Sequence, residues 1–241
     1  MNELIRKFKE LRLKNCADHI AEMIDASSAK NLSPKETIER LLDFELEARE
    51  KARINQRFKQ AGLDEKVTMD GFDFNHHSSR KSYKSLIVNL MDLTFIQKRK
   101  DIILIGNPGV GKSHLAMCFA YAATQKGIKT LFTTAMDMIN HLIEAEANHS
   151  LLKKLHFYQS QDLLVVDEIG YLPLDRQGSH LFFQVISARH TKKSTVITTN
   201  LPFAEWSNIF DGTTAATAIA DRLIYNSEIL ILEGQSYRIK R

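Results

Sequence analysis

Ile102-Ile103-Leu104-Ile105-Gly106-Asn107-Pro108-Gly109-Val110-Gly111-Lys112-Ser113-His114 is the stretch on which the fold turns. Its unbroken aliphatic run suits a strand buried on both faces. Gly106 to Ser113 then match G-x-x-x-x-G-K-[ST], and Leu115, Cys118, Phe119 and Ala122 follow at helical spacing. Strand, glycine loop and helix form the setting the motif requires. The glycines let successive N–H groups curl around the β- and γ-phosphates, and the helix N-terminus adds the positive end of its dipole. The reading is a nucleoside triphosphate, ATP with Mg2+, held along Gly106, Asn107, Pro108, Gly109, Val110, Gly111, Lys112, Ser113 and His114. Lys112 neutralises phosphate charge and Ser113 ligates the metal.

Four further runs, Thr130 to Thr133, Leu163 to Val166, Thr195 to Thr198 and Ile229 to Leu232, are apolar or β-branched and alternate with helical patterns. This predicts an α/β fold, a P-loop NTPase with a parallel sheet wound by crossover helices. The third strand runs into Asp167-Glu168. Asp167 suits magnesium, directly or through water. A second carboxylate beside phosphates is repulsive, so Glu168 makes sense as the general base for an attacking water. Asn200 ends the fourth strand, where parallel sheets collect their ligands, and would orient that water. Arg222, in a helical Asp221-Arg222-Leu223, would serve as an arginine finger toward a neighbouring subunit. The plainer alternatives are a turn-former for Asn200 and a surface salt bridge for Arg222.

Working outward, residues 1–70 read as a small all-helical N-terminal domain. Leu4, Phe8 and Leu11 recur at helical spacing. Ser33, Pro34 and Glu36 form a capping box ahead of an apolar face of Ile38, Leu41, Leu42, Leu46 and Ala52, which Gly62 can end. Residues 71–100 read as a basic linker and first core helix, and 101–241 as the nucleotide-binding core. His76 and His77 have no further metal ligand nearby and read as a solvated loop.

With 44% hydrophobic and 26% charged residues the chain is an ordinary globular protein. Its charged N-terminus and the lack of a long apolar stretch predict a cytoplasmic protein outside the membrane. Cys16 and Cys118 have neither disulfide nor zinc spacing. The net charge of +4 is local: Arg80, Lys81, Lys84, Lys98, Arg99 and Lys100 face only Asp73 and Asp92 within residues 71–100. Any nucleic-acid binding must then come from local clusters making phosphate contacts. Arg49, Lys51, Arg53, Arg57 and Lys59 are interleaved with Glu45, Glu47 and Glu50. Lys192 and Lys193 suit a surface turn.

Taken together, several segments resemble the IstB helper ATPases of bacterial insertion sequences, AAA+ proteins similar to the helicase loader DnaC. They are the loop Gly106 to Ser113, Asp167-Glu168-Ile169-Gly170-Tyr171-Leu172-Pro173, Thr198 to Trp206, Asp221-Arg222-Leu223 and Gly234-Gln235-Ser236-Tyr237-Arg238, with Glu45, Arg49 and Ala61-Gly62-Leu63 in the helical module. The resemblance implies ATP hydrolysis, double-stranded DNA bound largely without regard to sequence, a partner transposase, and a homo-oligomer with head-to-tail ATP sites. It implies Walker A, magnesium, Walker B, sensor 1 and arginine-finger roles for Lys112, Ser113, Asp167, Glu168, Asn200 and Arg222. A DnaC-like replicative helicase loader is the alternative. Few residues follow Gly234, too few for the usual AAA+ helical lid, so Arg238 receives no sensor 2 role.

Overall fold

The computed structural model describes residues 1–237; Arg238 lies outside them. The chain divides into two compact units, residues 1–56 and 57–241. The division falls inside a helix, because the residues that follow it, Ala61, Leu63 and Phe72, are buried in the core of the larger unit.

The smaller unit comprises α1 (Asn2–Glu10), α2 (Lys14–Ala29) and the first part of α3 (Pro34–Gln60). The capping box forms as its sequence predicts, with Ser33 N donating to Glu36 Oε2 at 2.8 Å. The expected apolar face of α3 does not. Ile38, Leu42 and Leu46 are exposed, and the core of Cys16, Ile20 and Leu41 is completed by Ile5, Phe8, Leu13, Met23, Ile24 and Phe44. Buried Glu45 decides which side of α3 faces inward. It accepts from Cys16 N at 2.9 Å in the first turn of α2, where backbone donors lack partners, and from Arg49 Nε at 2.8 Å. Burial alone would raise the Glu45 pKa, but these hydrogen bonds and the Arg49 charge outweigh it and hold the carboxyl below its usual range.

The larger unit begins with short helices α4 (Ser78–Ser82), α5 (Lys84–Leu90) and α6 (Thr94–Gln97). The sheet strands are β1 (Asp101–Gly106), β2 (Thr130–Thr134), β3 (Leu163–Ile169), β4 (Ser194–Thr199) and β5 (Ser227–Leu232). All pair in parallel in the order β2-β3-β4-β1-β5. The connecting helices are α7 (Lys112–Gln125), α8 (Ala135–Ala147), α9 (Leu151–Gln159), α10 (Arg176–Arg189) and α11 (Thr213–Ile224). All five expected strands are present.

Strand alternation sends Ile102 and Leu104 into one core, with Ile87, Phe95, Leu115 and Phe119, and Ile103 and Ile105 into another, with Met138, Leu142, Phe182 and Ile219. Burial on both faces is why β1 and β3 read as unbroken apolar runs, while the edge strands β2 and β5 are only partly buried. Because β1 lies between β4 and β5, the phosphate loop at its carboxyl end neighbours the ends of both. No helix among the described residues is long and apolar enough to cross a membrane.

Candidate nucleotide site

The loop between β1 and α7 is shaped by what surrounds it. Gly109 has φ +81°, and a Cβ there would lie 2.0 Å from Ser236 Oγ; Gly111 has φ +96°, and its Cβ would lie 2.8 Å from the Phe72 ring. Only glycine satisfies both the dihedral and the space. Lys112 Nζ donates to the carbonyls of Gly106 at 2.7 Å and Asn107 at 2.9 Å, so the ammonium lies along the inner curve of the loop.

Ser113, at the start of α7, donates to Asp167 Oδ1 at 3.0 Å, which joins two of the expected residues directly. Asp167 is buried and also accepts from the Thr198 hydroxyl. The same hydroxyl accepts from Glu168 N at 2.9 Å. Here the β3–β4 register shifts, between Val166 and Ile169, and Glu168 adopts φ +61°. A left-handed non-glycine residue in a strand is costly and must be held by its surroundings. The bulge takes Glu168 out of the buried ladder and leaves its side chain exposed between buried Asp167 and Ile169. Asn200 adjoins this turn, since a Cβ on Gly170 would lie 3.2 Å from its Oδ1. Arg222 is held elsewhere. Its Nη1 donates to Ala218 O at 2.8 Å and its guanidinium covers the Phe183 ring at 4.6 Å, partners on α11 and α10 and none on the phosphate loop.

Beside the loop is a cavity of about 330 Å³ bordered by Phe72, Asp73, Arg80, Lys112, Ser113 and His114 and closed by Tyr237. Arg80 is buried and bridges two segments, with Nη1 to Asp73 O at 3.0 Å and Nη2 to Val110 O at 2.7 Å. Its guanidinium lies 4.7 Å from the Phe72 ring centre and 5.5 Å from that of Tyr237. Burial pulls its pKa down, with Asp73 opposing. His114 stacks on Phe72 at 5.9 Å, and burial holds its pKa below the ordinary histidine value. Tyr237 N donates to Gly109 O at 3.0 Å, and Glu233 N donates to Ser79 Oγ at 3.0 Å. Residues 72–80 and 233–237 thus form a collar around the loop.

The family described as IstB-like ATP binding protein matches residues 6–241. The chain belongs to the IstB-like ATP-binding family. The insertion sequence IS232 ATP-binding protein of Bacillus thuringiensis subsp. berliner is 35% identical over 238 residues, covering 99% of this chain and 94% of that protein. The insertion sequence IS5376 ATP-binding protein of Geobacillus stearothermophilus is 36% identical over 241 residues, covering 100% and 95%. Among solved structures, the crystal structure of the DnaC helicase loader superposes with a TM-score of 0.61 at 23% identity, covering 69% of this chain and 96% of that one. At that identity the likeness is one of fold: a parallel sheet with flanking helices and a phosphate loop.

The residues of this IstB-like chain fit ATP and a magnesium ion. Arg80 Nε and His114 Nε2 are buried beside the cavity without a hydrogen-bond partner, which suits a polar planar group between the aromatic walls. Ser113 Oγ and Asp167 Oδ1 are hard oxygen donors. Magnesium takes one or two such protein ligands and completes its shell with water and phosphate oxygens. Sequence reasoning gives no site role to Phe72, Arg80 or Tyr237, which lie dozens of residues from the loop; it counts Arg80 only among the basic residues and Tyr237 only within the stretch Gly234 to Arg238. It also missed Thr198, whose strand it read only for Asn200.

Proposed function

We propose that the protein is an ATP-hydrolysing AAA+ protein of an insertion sequence. In this reading it oligomerises on target DNA in its ATP state and recruits and stimulates a partner transposase in the bacterial cytoplasm. The observation that carries hydrolysis is the arrangement of Ser113, Asp167, Glu168 and Asn200 at the carboxyl ends of β1, β3 and β4. The family and the near full-length match to insertion-sequence ATP-binding proteins carry the transposition setting.

In this reading Lys112 leaves the carbonyls of Gly106 and Asn107 for the β- and γ-phosphates. Ser113 and Asp167 would hold a magnesium ion, which would supply positive charge to offset that of the phosphates. Glu168, set apart from the ladder, takes the proton of the attacking water as that oxygen bonds to the γ-phosphorus and ADP departs. Asn200 orients the same water. Because the Arg222 guanidinium is held against Ala218 of α11 and Phe183 of α10, its service as an arginine finger would be to the next subunit. Nucleotide then stabilises a head-to-tail contact, which closes into a ring or continues as a helix.

The test is duplex binding with and without a non-hydrolysable ATP analogue, repeated with ATP for Glu168→Gln. DNA binding that requires the analogue, and that outlasts added ATP only in the variant, is the expected outcome. Nucleotide-independent binding with equal lifetimes in both proteins would overturn it.

A further inference from the structure

Three short basic runs, Lys98-Arg99, Lys126 to Lys129 and Lys192-Lys193, lie far apart in sequence. In the fold they converge. A cavity of about 370 Å³ is lined by Arg99, Lys126, Lys192 and Lys193 against only Asp92 and Asp162. A second, of about 520 Å³, is lined by Arg57 and Lys129 and shares Ile128 with the first. Arg99 lies two residues before β1, Lys126 to Lys129 precede β2, Asp162 precedes β3, and Lys192 and Lys193 precede β4. The basic surface therefore covers the amino ends of the strands, at the opposite end of the sheet from the phosphate loop.

Both acids of the first cavity are already engaged. Asp162 pairs with Lys193 at 2.5 Å, and Asp92 accepts from Thr94 N at 2.9 Å. Arg99 donates to Thr191 O at 3.5 Å and Lys126 to Asp92 O at 2.7 Å, and the Lys126 charge also acts on the Asp92 carboxyl. The loop that carries Lys192 and Lys193 is pinned from beneath by Arg189, buried to 1% exposure. Its guanidinium donates to Tyr158 O at 3.0 Å, Gln161 O at 2.7 Å and Ser194 O at 2.5 Å. Its own carbonyl accepts from the backbone N–H groups of Lys192 at 2.9 Å and Lys193 at 3.0 Å. Arg99, Lys126 and Lys192 are exposed, and Lys192 is carried on a loop fixed from beneath.

We propose that this surface is a docking face for the DNA phosphate backbone, with Arg99, Lys126 and Lys192 each holding a phosphate. The assignment rests on the DNA reading above. A protein partner would need an apolar anchor pocket, but in the first cavity Leu93 is buried and Ile96 and Ile128 are half-buried. Evenly charged phosphates need only spaced cations on a fixed frame, and such contacts carry no base recognition.

The experiment is a salt titration of full-length protein on a labelled mixed-sequence duplex with a non-hydrolysable ATP analogue. It compares wild type, Arg99→Gln/Lys126→Gln/Lys192→Gln, and a control, Lys81→Gln/Lys84→Gln/Arg176→Gln, whose positions line neither cavity. Each phosphate contact contributes a slope of about −0.9, so three lost contacts flatten log K against log salt by about 2.7. Over a fourfold rise in salt that is a change of about 40-fold in affinity. The expected result is that flattening in the first variant, near-wild-type slope in the control, and DNA-independent ATP turnover retained in both. A first variant with wild-type affinity and slope, or an equal loss in the control, overturns the docking face and leaves the DNA reading standing. Failure of the wild type to bind duplex overturns the DNA reading and the face with it.

Discussion

Replacing Thr198 by valine removes one hydroxyl and almost no volume, and it tests whether the bulge at Glu168 serves hydrolysis. The Thr198 hydroxyl is buried, donates to Asp167 and accepts from Glu168 N at 2.9 Å. Losing a hydrogen bond to a charged group costs about 1.5–3 kcal/mol, and an unsatisfied buried N–H about 1–3 kcal/mol. Glu168 itself is exposed, so water can reach its peptide N–H and the second figure falls at its low end. A loss of about 2–4 kcal/mol in unfolding free energy follows. Asp167 keeps the Ser113 hydroxyl at 3.0 Å, so ATP affinity should change little. Glu168, released from its left-handed conformation, no longer faces the attacking water. A displacement of about 1 Å costs on the order of 10²-fold in rate. Calorimetric ATP binding, a coupled turnover assay and urea unfolding on Thr198→Val and Thr198→Ser separate these effects. Serine restores the hydroxyl and should restore most of the turnover. Wild-type turnover in Thr198→Val, or a serine variant as slow as valine, would refute the reasoning.

Two further perturbations follow from the larger unit. Asp101 is buried and accepts from Thr195 N at 2.6 Å; burial raises its pKa from 3.8 to about 7, against the pull of that hydrogen bond and of Arg189. Since the folded pKa lies above the unfolded one, the associated stability is complete below pH 3.8 and is lost as pH rises toward 7. At about 1.36 kcal/mol per unit, urea melts should show wild type losing up to about 4 kcal/mol relative to Asp101→Asn between those limits; parallel profiles would refute this. Gly111→Ala places a methyl 2.8 Å from the Phe72 ring at φ +96°. The strain of about 1–3 kcal/mol should lower ATP affinity by about 5- to 150-fold in calorimetry, and unchanged affinity would show that the collar yields freely.

The failures of sequence reasoning in the smaller unit have a physical cause. Periodicity in α3 marks Ile38, Leu42 and Leu46 as a face, yet the helix turns Leu41 and Glu45 inward because Glu45 satisfies the open N-terminus of α2. A buried carboxylate that caps another helix leaves no apolar signature.

What was legible from the residues alone was local. Strands rich in apolar and β-branched residues stand out as runs, the phosphate loop needs glycine at fixed spacing for its positive φ angles, and Asp167-Glu168 announces itself at a strand end. The tertiary structure decided what depends on distant segments meeting: the placement of β1 between β4 and β5, and the bulge that frees Glu168 through a hydroxyl 30 residues away. It also decided the Phe72, Arg80 and Tyr237 collar and the gathering of three basic turns at one end of the sheet. These contacts are set by strand order and packing, and strand order is encoded in no single stretch of chain.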